Sequence, residues 1–221
     1  MINLNMDPDF IDWAEQKIDL ISTAEKERHG DQSTVYRLVT QKGDYFLKIA
    51  GNLSKEKERL EWIKDKLPVP KVIGFTNIKG NDALLISAID GIDLAKLAKQ
   101  CSGDKIAEKL AEVLRLFHSV PVKNCPFGVS GPGKVLIHGD ACLPNFIFKN
   151  EIFSGYIDLG DMRIDSPEID FAAAIWSLEY NLGPGYGKKF LTEYGITNAT
   201  EELAERLRLR YEDMQKEWGL K

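Results

Sequence analysis

The chain has 221 residues with a net charge of −5, 43% hydrophobic and 29% charged. That is long enough to bury a full core in one domain or two small lobes. No Lys/Arg-rich block occurs, which argues against a nucleic-acid partner, and no run of about 18 apolar residues argues for a membrane span.

The N-terminus lacks a basic region followed by an apolar stretch, so secretion is not expected. Cys101, Cys125 and Cys142 are scattered without paired spacing, frame neither a disulfide scaffold nor a zinc site, and fit a reducing cytoplasm.

In chain order, residues 8–20 read as a short amphipathic helix. Thr34-Val-Tyr-Arg-Leu-Val-Thr40 and Tyr45-Phe-Leu-Lys-Ile-Ala50 flank a turn-forming Gln-Lys-Gly-Asp and predict a hairpin. In its second strand Phe46 and Lys48 share one face and Tyr45, Leu47 and Ile49 the other. Residues 53–66 predict a helix with Ser54 as N-cap and Leu60, Ile63 and Leu67 on one stripe, stopped by Pro68-Val-Pro70. Two more strands follow, over residues 71–75 and 83–88. Asp90-Gly91 breaks the pattern, dividing the chain into a β-rich first lobe, 1–89, and a helical second lobe, 90–221.

In the second lobe Ile106, Leu110, Val113, Leu114 and Phe117 mark a helix that ends near His118. Residues 120–133 form a Pro/Gly-containing loop. A strand over 134–137 then leads into His138-Gly139-Asp140-Ala-Cys-Leu-Pro-Asn145. A hairpin of 146–148 and 152–157 follows, and helices are predicted over 168–182, 187–194 and 200–218.

The chemistry concentrates in this second lobe. Asp140 stands after an apolar strand and a glycine, five residues before Asn145, and Asp158-Leu-Gly160 follows thirteen residues later. Phosphoryl transfer needs a carboxylate to accept or orient the proton of the attacking hydroxyl, and hard oxygen donors for magnesium. Asp140 fits the first role; Asn145 and Asp158 fit the second. Lys48 lies on a strand where a kinase lysine meets the α/β-phosphates, and the helix after it offers Glu56, Glu58 or Glu61 as its partner. His29-Gly30 and Ser33 are candidates to meet phosphate oxygens, although the segment is neither Gly-x-Gly-x-x-Gly nor a P-loop. His138 is expected on the nucleotide side, hydrogen-bonding the catalytic loop. Asp170 is equally well a brace for that loop, a helix cap or a solvated charge.

These segments resemble the aminoglycoside 3′-phosphotransferases, within the wider group that includes choline kinases. His138 to Asn145 is similar to their catalytic loop, and Ser154-Gly-Tyr-Ile-Asp-Leu-Gly160 to their metal-binding turn. Lys66-Leu-Pro-Val-Pro-Lys-Val72, Leu114-Arg-Leu-Phe-His-Ser119 and Asp170-Phe-Ala-Ala match as well. The resemblance implies an α+β, two-lobed, protein-kinase-like fold, with Glu56 as the lysine's partner. It implies ATP or GTP in the interlobe cleft, its base against Ser87-Ala88-Ile89, and Mg²⁺ on Asn145 and Asp158.

Two departures bear on the acceptor. The family carries several dozen residues of helical insert where this chain has only Val120 to Lys134, and its drug-contacting C-terminal helix differs from Tyr211-Glu212-Asp213 here. Asp161 also stands where an Arg often follows the metal-binding turn. The expected activity is transfer of a γ-phosphoryl group to a hydroxyl of a small molecule, an aminoglycoside first. Another amino-alcohol or sugar, or a non-catalytic nucleotide-binding role, are the alternatives. A protein kinase is disfavoured, because Ser166-Pro-Glu168 comes too soon after Asp158 to close an activation segment.

Overall fold

The computed structural model describes residues 6–27 and 33–217. His29, Gly30 and Trp218 lie outside them. The chain divides into two compact units, Met1–Ile89 and Asp90–Lys221.

The first unit is a five-stranded antiparallel sheet with two helices. Helix α1 (Pro8–Glu15) starts where the sequence favours it: Pro8 opens the first turn, and the Asp7 carboxylate accepts the Asp9 N–H. It stops five residues earlier than expected, as the Glu15 carboxylate takes the Ile21 N–H and turns the chain. Strand β1 (Thr23–Glu27), absent from the sequence reading, pairs among the described residues only with β2 (Thr34–Thr40). Its Thr-Ala-Glu-Lys-Glu composition carries almost no apolar signal, which suits an edge strand.

Strands β2 and β3 (Gly43–Ala50) form the expected hairpin, in register from Thr34↔Ile49 to Thr40↔Gly43. Strand β5 (Asn81–Ser87) lies beside β3, and β4 (Val72–Ile78) beside β5. Leu38, Leu47, Ala83 and Leu85 are fully buried against Phe10 and Ala14 of α1, with Tyr45 and Ile49 packed on the same cluster. The pleat therefore puts Lys48 on the opposite face. There α2 (Ser54–Ile63) buries Leu60 and Ile63. Its N-cap is Leu53 rather than Ser54, and no side chain caps it. Instead, Asp82 accepts the Leu53 N–H and Asn52 the Ser54 N–H.

In the second unit, β6 (Ile92–Asp93) leads into the short helix α3 (Leu94–Leu97), capped by Asp93. Helix α4 (Gly103–His118) buries Ile106, Leu110, Val113, Leu114 and Phe117 on one stripe. Strand β7 (Val135–Ile137) pairs with β10 (Arg163–Asp165), and β6 with β8 (Phe146–Lys149), which forms a hairpin with β9 (Ile152–Tyr156). Helices α5 (Glu168–Leu182), α6 (Gly187–Tyr194) and α7 (Glu201–Glu217) complete the unit. Phe117, Phe146 and Tyr156 are fully buried around His138, Phe117 and Tyr156 meeting edge to face at 4.9 Å. No helix among the described residues is long and apolar enough to cross a membrane.

Candidate active site

The segment after β7 is built to stay in place. Gly139 has φ +90°, and a Cβ there would lie 2.5 Å from the Asp161 carbonyl oxygen, so only glycine fits. Next comes Asp170, fully buried on the first turn of α5. Its Oδ2 accepts the His138 N–H at 2.7 Å and its Oδ1 the Gly139 N–H at 2.8 Å. His118 Nε2 donates to the same Oδ2 at 2.9 Å, while its Nδ1 meets the Tyr194 hydroxyl at 2.8 Å. Charge-assisted hydrogen bonds made in the absence of water are the strong kind. Of the readings the sequence leaves open for Asp170, the brace is the one realised.

His138 is also fully buried. Its Nδ1 accepts the Asp140 N–H at 3.3 Å and its Nε2 donates to the Ile157 carbonyl at 3.0 Å. Both ring nitrogens bond the catalytic loop, the hydrogen-bonding role expected of His138. The Ile157 N–H in turn donates to the Asn145 carbonyl at 3.0 Å. Ile157 is thus tied through both backbone groups, which brings Asp158 beside the loop. Asp158 itself has φ +59°, a left-handed backbone that costs a non-glycine residue about 1 kcal/mol or more.

Asp140 is half-buried and held at both carboxylate oxygens. Asn145 Nδ2 donates to its Oδ2 and to its carbonyl, each at 2.9 Å, and the Tyr211 hydroxyl donates to Oδ1 at 3.3 Å. Asn145 sits at the end of a 3₁₀ turn (Leu143–Asn145) anchored by the Ser177 hydroxyl, which accepts the Leu143 N–H.

Among the described residues no group of three or more His, Cys, Asp or Glu could hold a metal ion. The oxygen donors on the loop and on the segment tied to it through Ile157 include one amide, Asn145, and one carboxylate, Asp158. With Nδ2 committed to Asp140, Asn145 presents its amide oxygen, and Asp158 adds a carboxylate. This small all-oxygen set fits Mg²⁺, which keeps several waters and takes its remaining ligands from phosphate.

In the first unit Lys48 Nζ meets both Glu56 oxygens, at 2.8 and 3.1 Å. Both side chains are largely buried, at 15% and 7% exposure. Among the three glutamates raised by the sequence, Glu58 is exposed and Glu61 pairs with Lys64, leaving Glu56 as the partner. Ser33 precedes β2. Ser87 ends β5, its hydroxyl accepting the Lys71 N–H, and Ile89 is half-buried just beyond it.

Two contributors escaped sequence reasoning. His118, given no role in the sequence reading beyond the end of a helix, carries the Asp170 brace; the signal is its place four residues after Leu114, on the buried stripe of α4. Tyr211, noted only as a departure, ends the buried stripe Ala204, Leu207, Tyr211 of α7. A tyrosine closing such a stripe must find a partner for its hydroxyl.

The model of the phosphotransferase enzyme family (APH) matches residues 25–133 and 130–208. An aminoglycoside 3′-phosphotransferase of Niallia circulans is 28% identical over 245 aligned positions, covering 86% of this chain and 93% of its own. That alignment is longer than the 221-residue chain, so parts of the relative face gaps here. One from Escherichia coli is 26% identical, covering 75% of this chain and 80% of its own. Among solved structures, the aminoglycoside phosphotransferase APH(3″)-Id of Streptomyces rimosus, in complex with ADP and streptomycin, superposes with a TM-score of 0.71 at 20% identity. It covers 94% of this chain and 96% of its own. The α+β, kinase-like fold is therefore shared.

Proposed function

The chain belongs to the phosphotransferase enzyme family, and from that premise we propose that it transfers the γ-phosphoryl group of ATP, or of GTP, to a hydroxyl of an aminoglycoside. The observation that carries this reading is the state of Asp140. A carboxylate held by Asn145 and Tyr211, on a loop pinned by Asp170, can accept a hydroxyl proton without reorganising as charge develops.

Asp140 takes the proton of the acceptor hydroxyl, or orients that hydroxyl for attack. Lys48, held by Glu56, meets the α/β-phosphates as a fixed positive charge. Ser33 lies on the phosphate side, and Ser87 and Ile89 on the side of the base. Asn145 and Asp158 are the residues that would hold Mg²⁺, which when bound neutralises charge on the phosphate oxygens. The free thiols of Cys101, Cys125 and Cys142 suit a reducing cytoplasm.

A second acceptor class, a small amino-alcohol or sugar, is favoured by one observation. Residues 120–133 pass directly from α4 to β7, held by the Ile164 N–H on the Phe127 carbonyl and a parallel bridge from Gly128 to Ile164, which leaves little chain there to wall a large acceptor. A coupled nucleotide-turnover assay with magnesium-ATP across aminoglycosides, amino-alcohols and sugars, kanamycin included, tests both. Acceptor-dependent ADP release on kanamycin is the expected result. Release only with amino-alcohols or sugars establishes the second class, and no release with any acceptor favours a non-catalytic homologue.

A further inference from the structure

Tyr211 is buried, with its ring 5.3 Å from the Trp176 ring of α5. The far end of that ring reaches the site: the hydroxyl lies 3.3 Å from Asp140 Oδ1 and 3.5 Å from Cys142 Sγ. The other Asp140 oxygen accepts the Asn145 amide at 2.9 Å. A carboxylate turns easily about its Cβ–Cγ bond, because that torsion is broad and two-fold. One donor on one oxygen leaves the turn open; donors on both oxygens close it.

We propose that Tyr211 is a positioning residue for phosphoryl transfer, its hydroxyl fixing the plane of the Asp140 carboxylate so that the second lone pair of Oδ1 stays directed at the acceptor hydroxyl. This rests on the reading of Asp140 as the group that receives that hydroxyl. Burial above all, with the neighbouring Asp140 carboxylate, holds the Tyr211 phenol well above its usual pKa, so it enters the contact as an O–H donor. The Cys142 thiol, itself pushed up chiefly by burial, is a weak partner beside a carboxylate. Helix α7 thereby reaches the reacting group from about 70 residues away in sequence. If Tyr211 only filled space between α7 and α5, its ring would suffice and its hydroxyl would be dispensable.

Tyr211→Phe keeps the ring and removes the hydroxyl. With kanamycin and magnesium-ATP, kcat should fall about tenfold, with KM for ATP within about twofold and melting temperature nearly unchanged. A wild-type kcat in Tyr211→Phe, beside an inactive Asp140→Ala control, overturns the proposal. If the wild-type protein itself leaves kanamycin unmodified, the acceptor reading fails, and the tyrosine is judged by another signal. In tyrosine-labelled protein the Tyr211 ¹³Cζ resonance, identified by its loss in Tyr211→Phe, should move in Asp140→Ala. An unmoved resonance also overturns the proposal.

Discussion

The loop His138–Asn145 and helix α7 meet at one carboxylate, Asp140, yet they are held by different physics. The loop hangs on buried, charge-assisted hydrogen bonds, with Asp170 and His138 both fully buried and His118 nearly so. Helix α7 carries Arg208 with Glu205 and Glu212, Arg210 with Glu168, and Lys216 with Asp213, mostly across exposed side chains. Buried donors left without partners cost far more than exposed ion pairs return. The loop is therefore expensive to alter, while most of the α7 surface can change at little cost. Tyr211 is the exception, a buried α7 residue committed to the loop.

That contrast can be broken at four points. Asp140→Ala should reduce turnover of any accepted acceptor about a thousandfold in a coupled ADP-release assay, with folding intact. Substantial residual activity would remove the loop from the chemistry.

Asp170→Ala strands the His138 and Gly139 N–H groups and the His118 imidazole in the core. It should destabilise the protein by about 4 kcal/mol in urea unfolding. A loss below about 1 kcal/mol would place the loop's support in the same class as the surface of α7. Lys48→Met removes the partner of buried Glu56, and turnover should drop about a hundredfold. At the other end of the scale, Arg210→Ala breaks only an exposed pair with Glu168, and stability should stay within about 0.5 kcal/mol of the parent. A larger effect would mean that α7 is anchored from its surface as well.

How much was legible beforehand follows the same division. The β2–β3 hairpin, the stripe of α4 and helices α5 and α6 read directly from apolar periodicity and turn residues, because each is stabilised by contacts at fixed local spacing. Strands β1 and β10 did not, since their charged, short segments become strands only through a partner's ladder. The Ser54 cap failed for a similar reason: Asp82, 29 residues from Leu53, supplies a bond that no local rule anticipates.

By itself the sequence supplied the candidate site: Asp140, Asn145 and Asp158 in order, and Lys48 on a strand before a glutamate-bearing helix. Such motifs survive in one dimension because short hairpins and turns carry their spacing directly into geometry. Glu56, the partner that the resemblance implies, does meet Lys48, whereas tertiary structure alone decided that Asp170 braces the loop through His118. It also decided that Tyr211 reaches Asp140. Each of these depends on side chains from separate elements sharing a buried volume, where an unpaired polar atom is costly and must find the partner that packing provides.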